Sequence, residues 1–195
     1  MVLIIAITGA TGAIYGIRLL EVLSTLKGIE THLIISETGE TTIKCETGWT
    51  VEDVKKLASR TYEFKDLASR LSSGSFQRDG MVIVPCTVKT MSALAHSFSD
   101  NLIVRAGDVT LKERKKLVLV VRETPLHLGH LRSMAQLTEM GAIIMPPVPA
   151  FYHHPESVQD IIDHIVGKIL DTMEIKHNLF QRWPGCNSEG ELLNE

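Results

Sequence analysis

A glycine-rich turn near the start of the chain restricts the possible folds more than any other feature. Thr8 to Ala13 has the sequence Thr-Gly-Ala-Thr-Gly-Ala, follows an unbroken apolar run from Val2 to Ile7, and precedes a helical pattern that continues to Leu26. A buried strand that passes through such a turn into a helix directs several backbone N–H groups and the positive helix end at one point. The turn therefore predicts a site for a nucleotide or another phosphorylated ligand.

The composition fits one globular domain and argues against several classes of partner. The 195 residues are 44% hydrophobic, and 20 basic and 23 acidic side chains give a formal net charge of −3. This balance gives no electrostatic reason to expect nucleic acid or an anionic membrane as a partner. No apolar run approaches a membrane span, and the three cysteines form no disulfide framework or zinc knuckle. We expect a cytoplasmic protein with a single domain over residues 1–183 and a tail over 184–195.

Apolar strands alternate with helical patterns along the chain. Strands are predicted over residues 2–7, 31–35, 81–84, 117–121 and 142–145. Helices are predicted over 12–26, 50–58, 88–95, 109–115, 125–141 and 157–173, with Asp108 capping the fourth and Ser157 capping the last. This alternation predicts an α/β fold, a parallel sheet with helices on both faces, in which ligands lie beyond the carboxyl ends of the strands.

Polar side chains follow two of these strands. Hydroxyl and N–H groups of the segment from Pro85 to Thr90 can bind ligand oxygens, although ordinary helix capping by Thr87 is the simpler interpretation. After the next strand, Arg122 can hold a phosphate, and Glu123 can transfer a proton if its pKa is raised. The alternative for these two residues is a surface pair without a task.

Two other kinds of site fit the residues less well. The turn has the spacing Gly-x-x-Gly-x-x-x-Gly instead of the dinucleotide fingerprint, and no Tyr has a Lys four residues later, so a nicotinamide reductase is disfavoured. The adjacent His153 and His154 diverge in direction and lack a nearby carboxylate or cysteine, and His127 and His130 are more simply solvated or core histidines. No metal site is predicted.

Nine short segments together resemble the flavin prenyltransferase family of the UbiX type. In chain order they are Ile7-Thr8-Gly9-Ala10-Thr11-Gly12-Ala13, Ser73-Gly74-Ser75-Phe76, Asp79-Gly80-Met81, Pro85-Cys86-Thr87, Arg105-Ala106-Gly107-Asp108-Val109, Leu111-Lys112-Glu113-Arg114, Arg122-Glu123-Thr124-Pro125-Leu126, Pro149-Ala150-Phe151-Tyr152 and Arg182-Trp183. The resemblance implies a three-layer, Rossmann-like (flavodoxin-like) fold and a homododecamer built from trimers.

The resemblance also implies a reaction. The family joins the dimethylallyl group of dimethylallyl monophosphate to N5 and C6 of reduced FMN, without a metal. The product, prenylated FMN, goes to a UbiD-type decarboxylase. The sequence leaves open whether a monophosphate or a diphosphate is preferred.

Residue roles follow from the same resemblance. For FMN binding it implies Gly9, Ala10, Thr11, Ser36, Thr87, Val88, Lys89, Thr90 and Arg122. For the prenyl phosphate it implies Arg105, Lys112, Tyr152, Lys168 and Trp183, of which the first two act across a subunit interface. For catalysis it implies Glu46, Lys112, Glu123 and Tyr152. The family usually has serine at position 11, and Thr11 keeps that hydroxyl while adding a methyl group.

These residue types suit the chemistry. A phosphate monoester leaves poorly unless its charge is neutralised or it is protonated, and the cationic and phenolic side chains can stabilise that charge. An allylic carbon with cationic character is then stabilised by stacking on the electron-rich flavin. A base must remove the C6 proton, and Glu123, Glu46 or the released phosphate each fit that role.

Two other flavoproteins are the alternatives. FMN-dependent cysteine decarboxylases share the fold but carry a Pro-Ala-Ser-Ala-Asn-Thr-like segment, whereas the corresponding segment here lacks the asparagine. A regulatory protein that holds FMN without turnover would need the flavin contacts but not the further residues assigned to catalysis and to the prenyl phosphate. The joint presence of four such residues favours an enzyme: Lys112, Glu123, Tyr152 and Lys168.

Overall fold

A computed structural model describes residues 1–185, so the predicted tail lies outside the described range from residue 186 onward. The strands are β1 (Val2–Ile7), β2 (Glu30–Ile35), β3 (Arg60–Tyr62), β4 (Gly80–Cys86), β5 (Lys116–Val121) and β6 (Ile143–Ile144). The helices are α1 (Ala13–Thr25), α2 (Glu37–Glu46), α3 (Val51–Lys56), α4 (Val88–Ala95), α5 (Leu102–Lys112), α6 (Leu128–Glu139) and α7 (Val158–Thr172), with a short 3-10 helix at Arg70–Ser72.

The strands of the described residues form one parallel sheet in the order β3-β2-β1-β4-β5-β6. Ile4 and Ala6 of β1 lie in the core that includes α4, α5 and α6, whereas Ile7 lies on the opposite face against Gly16 of α1. Because successive strand residues point to opposite faces, both faces are covered by helices. This confirms the predicted three-layer α/β fold.

The order of the strands places a switch point in the middle of the sheet. The chain winds from β1 outward to β3 and then crosses to the other side of β1 to form β4. The carboxyl ends of β1 and β4 are therefore neighbours whose following loops diverge, which leaves a crevice where doubly wound sheets bind ligands.

Three local predictions were wrong or incomplete. Both α2 and β3 were missed, because α2 is largely polar and β3 is a three-residue edge strand. The helix predicted from Asp108 begins instead at Leu102, where the Asn101 side chain accepts the N–H of Val104. Asp108 lies inside that helix and pairs with Arg105 at 3.1 Å.

The chain divides into two compact units, Met1–Pro147 and a second that begins at Val148. The first contains the sheet and α1 to α6. The second contains α7, whose predicted cap is present: Ser157 and Asp160 form a capping box. A single domain over residues 1–183 stays a prediction. No helix within residues 1–185 has the length and hydropathy needed to cross a bilayer.

Candidate functional site

A single hydroxyl joins the two loops at the switch point. Thr8, which is 2% exposed, donates its hydroxyl to the carbonyl of Pro85 at 2.7 Å and accepts the N–H of Thr87 at 2.9 Å. The loops that follow β1 and β4 are therefore held side by side. This brings together the glycine-rich turn and the segment from Thr87 to Thr90, the two largest groups of predicted flavin contacts.

The glycine-rich turn packs closely against the start of α2. A Cβ atom on Gly9 would collide with the Oγ1 and Cβ atoms of Thr38. Beside Thr38, the Ser36 side chain caps α2 and lies 3.2 Å from the Thr38 hydroxyl. Gly12 ends the turn with a φ of +99°, a conformation that favours glycine. The structure therefore brings the predicted flavin residues after β1 and β2 to one place.

A cavity of about 410 Å³ opens at this edge of the sheet, within the range of about 300–1,000 Å³ typical of small-molecule sites. Four of the predicted FMN residues line it: Ser36, Thr87, Lys89 and Thr90. Sequence reasoning missed other lining side chains, among them Phe64, His96, Phe98, Asp100 and Asn101. Hydroxyl groups, a cation and aromatic rings together suit a planar ligand with polar substituents. The Asn-Leu start of α5 was a recognisable cap signal for Asn101.

Capping by Thr87 does occur, since its hydroxyl accepts the N–H of Thr90 at 3.2 Å. The backbone N–H of Thr87 donates to the hydroxyl oxygen of Thr8. Val88 begins α4 and is half-buried, whereas Lys89 is exposed. In the adjoining turn Ala10 is half-buried and Thr11 is exposed. The Thr11 hydroxyl is therefore accessible to a ligand.

Two candidate acids lie at the carboxyl edge of the sheet. The Glu46 carboxylate accepts the N–H of Gly12 at 2.8 Å, at the positive end of α1. Glu123 follows β5 and accepts the N–H of Thr124 at 3.0 Å. The Arg122 side chain next to it is exposed, so its guanidinium is accessible to an anion.

Arg105 and Lys112 lie elsewhere in the protomer. Arg105 donates to the Ser72 carbonyl at 3.2 Å, and Lys112 pairs with Glu113 and lies against Gly74. Contact with the Lys112 ammonium holds the pKa of the Glu113 carboxyl below its usual value. Two of the segments that carry the family resemblance, around Gly74 and Lys112, are thus neighbours.

Lys112 and Glu123 lie at opposite ends of strand β5. Lys112 ends α5 and precedes the amino end of β5, whereas Glu123 follows the carboxyl end of that strand. Six strand residues span about 17 Å at about 3.3 Å per step. One protomer therefore does not bring these two predicted catalytic residues together.

The second unit gathers the remaining predicted residues. The Tyr152 ring lies 5.6 Å from the Trp183 ring, and its hydroxyl is 2.8 Å from Nε2 of His164. Lys168 lies one helical turn beyond His164 on α7, and its ammonium is 3.7 Å from Asp171. The three residues predicted from the resemblance, Tyr152, Lys168 and Trp183, therefore belong to one cluster.

Sequence reasoning did not assign His164 or Asp171 to the cluster. Two bonds from Arg182 and one from His177 hold the pKa of the Asp171 carboxyl below its usual value. The four-residue spacing from His164 to Lys168 was a signal that both lie on one helix face. Among the described residues, no group of three His, Cys, Asp or Glu side chains is arranged to hold a metal ion.

Comparisons with known sequences cover nearly the whole chain. The profile of the family described as Flavoprotein matches residues 1–171. The flavin prenyltransferase UbiX of Escherichia coli strain K12 is 54% identical over 186 residues, which cover 94% of this chain and 98% of that protein. The flavin prenyltransferase UbiX of Thauera aromatica is 51% identical over 192 residues, 98% of each chain.

Solved structures give the same family. AnUbiX (PadA1), crystallised with FMN and dimethylallyl pyrophosphate, is 48% identical, has a TM-score of 0.93, and is covered over 98% of its length by 95% of this chain. A dodecameric FMN-dependent UbiX-like decarboxylase from E. coli O157:H7 is 46% identical, with a TM-score of 0.94 and coverage of 95% and 100%. The FMN-dependent cysteine decarboxylase TvaF, at 15% identity and a TM-score of 0.62, shares the fold alone.

Proposed function

The chain belongs to the Flavoprotein family and, within it, to the UbiX flavin prenyltransferases, and from this membership we propose how its residues carry out prenyl transfer. It is an FMN-using enzyme that transfers the dimethylallyl group of dimethylallyl phosphate to reduced FMN. The observation that supports this most directly is the cavity at the switch point, because four residues that the family resemblance assigns to FMN line it.

The residues at the cavity fit FMN. Hydroxyl groups of Ser36, Thr87 and Thr90 line the cavity and can bind the polar atoms of the flavin and its ribityl chain. Arg122 follows β5, and we assign it to the flavin phosphate from the family resemblance. The close approach of Gly9 to Thr38 holds the glycine-rich turn against the start of α2, next to Ser36. Bound reduced FMN supplies the electron-rich N5 and C6 atoms to which the prenyl group is joined.

We propose that the phosphate of the prenyl donor is bound by Tyr152 and Lys168, with Trp183 beside the prenyl chain. A phenol donor and an ammonium stabilise the negative charge that grows on the departing phosphate. Their clustering in the second unit supports a shared ligand.

Arg105 and Lys112 complete the site from a neighbouring copy of the chain. The length of β5 separates Lys112 from Glu123 in one protomer, so a shared site requires a second protomer. A dodecamer similar to that of the E. coli O157:H7 relative would supply such an interface.

Proton transfer is assigned to the two carboxylates at the carboxyl edge. Glu123 protonates the departing phosphate or accepts the C6 proton, and Glu46 is the second candidate base. Each is held by one backbone N–H, which fixes its position and leaves further oxygen lone pairs free for a ligand. We further propose that the product passes to a UbiD-type decarboxylase in the cytoplasm.

Prenyl transfer is tested by the molecular mass of the flavin product. Protein, chemically reduced FMN and dimethylallyl monophosphate or diphosphate are incubated without oxygen, and the mass of the released flavin is measured by mass spectrometry. A C5H8 increment supports prenyl transfer, whereas unmodified FMN from a correctly assembled preparation contradicts it. Glu123→Gln should slow turnover while FMN stays bound, and Glu139→Gln, an exposed glutamate on α6, is the matched control.

The shared site is tested by mixing subunits. Lys112→Ala and Glu123→Gln variants are inactive or slow alone, but co-expressed chains should regain activity, because about a quarter of interface sites receive both native residues. If both residues came from the same chain, every site in the mixed assembly would be defective. No recovery in a mixed assembly of normal size therefore contradicts the interface assignment.

A further inference from the structure

The Tyr152 hydroxyl is attached to helix α7 by one hydrogen bond. Its oxygen lies 2.8 Å from Nε2 of His164, a good hydrogen-bond length. His164 is 5% exposed and precedes Lys168 by four residues, so the two side chains lie on one face of α7 with their Cβ atoms about 5–6 Å apart. Tyr152 itself lies in a segment without regular structure before α7. The bond therefore holds the phenol beside Lys168.

The surroundings of His164 favour the neutral form of its imidazole. The His153 ring is stacked on it at 4.7 Å with an angle of 8° between the planes, and the Phe180 ring lies at 4.5 Å. Burial lowers the pKa of His164, and the nearby His153 and Lys168 lower it further, against a smaller opposing effect of Asp171. A neutral imidazole carries one N–H, so one ring nitrogen donates and the other accepts.

The free ring nitrogen indicates which tautomer is present. Nδ1 of His164 is buried and has no hydrogen-bond partner among residues 1–185. A buried N–H without a partner is rarer than a buried acceptor without one. We assign the hydrogen to Nε2, which donates it to the Tyr152 oxygen. The Tyr152 O–H then remains free to donate to a ligand.

We propose that His164 is a positioning residue that holds the Tyr152 phenol beside Lys168 and directs its O–H to the phosphate of the prenyl donor. The inference rests on the proposed function, which assigns Tyr152 and Lys168 to that phosphate. As the phosphate gains charge, the bond from Tyr152 strengthens, and the bond from His164 to the phenol oxygen strengthens with it. No proton leaves His164, so the imidazole acts only through the tyrosine.

A double-mutant cycle tests whether His164 acts through Tyr152. His164→Leu, Tyr152→Phe and the double variant are compared by kcat/KM for dimethylallyl phosphate at saturating reduced FMN. Binding of isopentyl phosphate, the saturated analogue that cannot form an allylic cation, is measured in parallel. Loss of one neutral hydrogen bond predicts about a 3- to 10-fold decrease in kcat/KM for His164→Leu. In the Tyr152→Phe background the same substitution should cause no further decrease.

Two conservative substitutions of His164 test whether a side-chain amide can restore the lost kcat/KM. His164→Gln places an amide donor near the position of Nε2 and should recover most of the loss, whereas His164→Asn places its amide near Nδ1 and should not. This pair also serves if the leucine variant does not fold. FMN affinity should be the same in all variants, because the resemblance assigns His164 no flavin contact.

The possible results distinguish a failure of the His164 positioning role from a failure of the proposed function. An equal decrease from His164→Leu in both backgrounds, or equal activities of the Gln and Asn variants, overturns the positioning role. Wild-type rates in Tyr152→Phe overturn the assignment of Tyr152, and with it this inference, while prenyl transfer itself stands. If the native protein forms no prenylated flavin, the proposed function fails, and the isopentyl phosphate affinities still decide whether His164 acts through Tyr152.

Discussion

Replacing Thr8 by valine would remove the hydroxyl that joins the two ligand-binding loops while keeping the side-chain shape. The Thr87 N–H would lose its acceptor, the Thr8 hydroxyl oxygen, at a cost of about 1–3 kcal/mol for an unsatisfied donor. The Pro85 carbonyl would keep its 3.3 Å bond from the Thr8 N–H and lose only the stronger one, about 1 kcal/mol. The free energy of unfolding should therefore fall by about 3 kcal/mol.

Urea denaturation at fixed protein concentration measures this change, because assembly makes the stability depend on concentration. The corresponding decrease in Tm is about 6–12 °C for a chain of this length. FMN should also bind more weakly to Thr8→Val, since the loops at both sides of the crevice are no longer joined. Thr8→Ser keeps both bonds and is the matched control. A valine variant as stable as the serine variant, with unchanged FMN affinity, would refute the role of this hydroxyl.

Three further predictions concern packing, thiol reactivity and acid stability. A Cβ on Gly16 would lie 2.5 Å from a backbone carbonyl of β4, so Gly16→Ala should destabilise the fold by about 1–3 kcal/mol in urea, whereas Gly48→Ala, with open space around it, should change stability little. Burial raises the pKa of the Cys86 thiol, so iodoacetamide at pH 8 should label Cys45 and spare Cys86 in peptide maps of the native protein; equal labelling would contradict this. Hydrogen bonds and an ion pair with Arg182 hold the pKa of Asp171 below its ordinary value of 3.8, so this contact stabilises the fold at neutral pH and the stabilisation is lost as the pH falls below that value. Asp171→Asn should therefore be less stable than the native protein at pH 7 and equally stable in acid. A difference in stability that does not change with pH would be inconsistent with the pairing.

Local signals predicted the helices whose caps lie next to an apolar pattern. Thr87 and Ser157 cap α4 and α7 as expected, because a hydroxyl before a helix satisfies an N–H two or three residues later whatever the tertiary fold. The start of α5 was misplaced because both Asn101 and Asp108 are good cap residues. The burial of the whole first turn after Asn101 decides between them, and burial is a property of the packed structure.

The candidate site was predictable only through the family resemblance and the strand ends. The family resemblance supplied the expected flavin contacts, and the rule for parallel sheets predicted that they lie at the carboxyl edge. The bond between Tyr152 and His164 was not predictable, since it joins an irregular segment to a helix twelve residues later. The bond that Glu46 accepts from Gly12 spans 34 residues and depends on the path of α2, which the sequence pattern missed.

The architecture of the first unit keeps two groups of predicted site residues apart within one protomer. The predicted flavin contacts follow β1, β2 and β4, beside the crevice that a doubly wound sheet provides at its switch point. Lys112 cannot join them, because a helix that leads into a parallel strand must end at the opposite edge of the sheet. Under the proposed function Lys112 neutralises the leaving phosphate, so its place on that edge makes prenyl transfer depend on a neighbouring copy. We therefore expect flavin binding and prenyl transfer to be separable: the first should need only the loops joined by Thr8, and the second should also need the assembled interface.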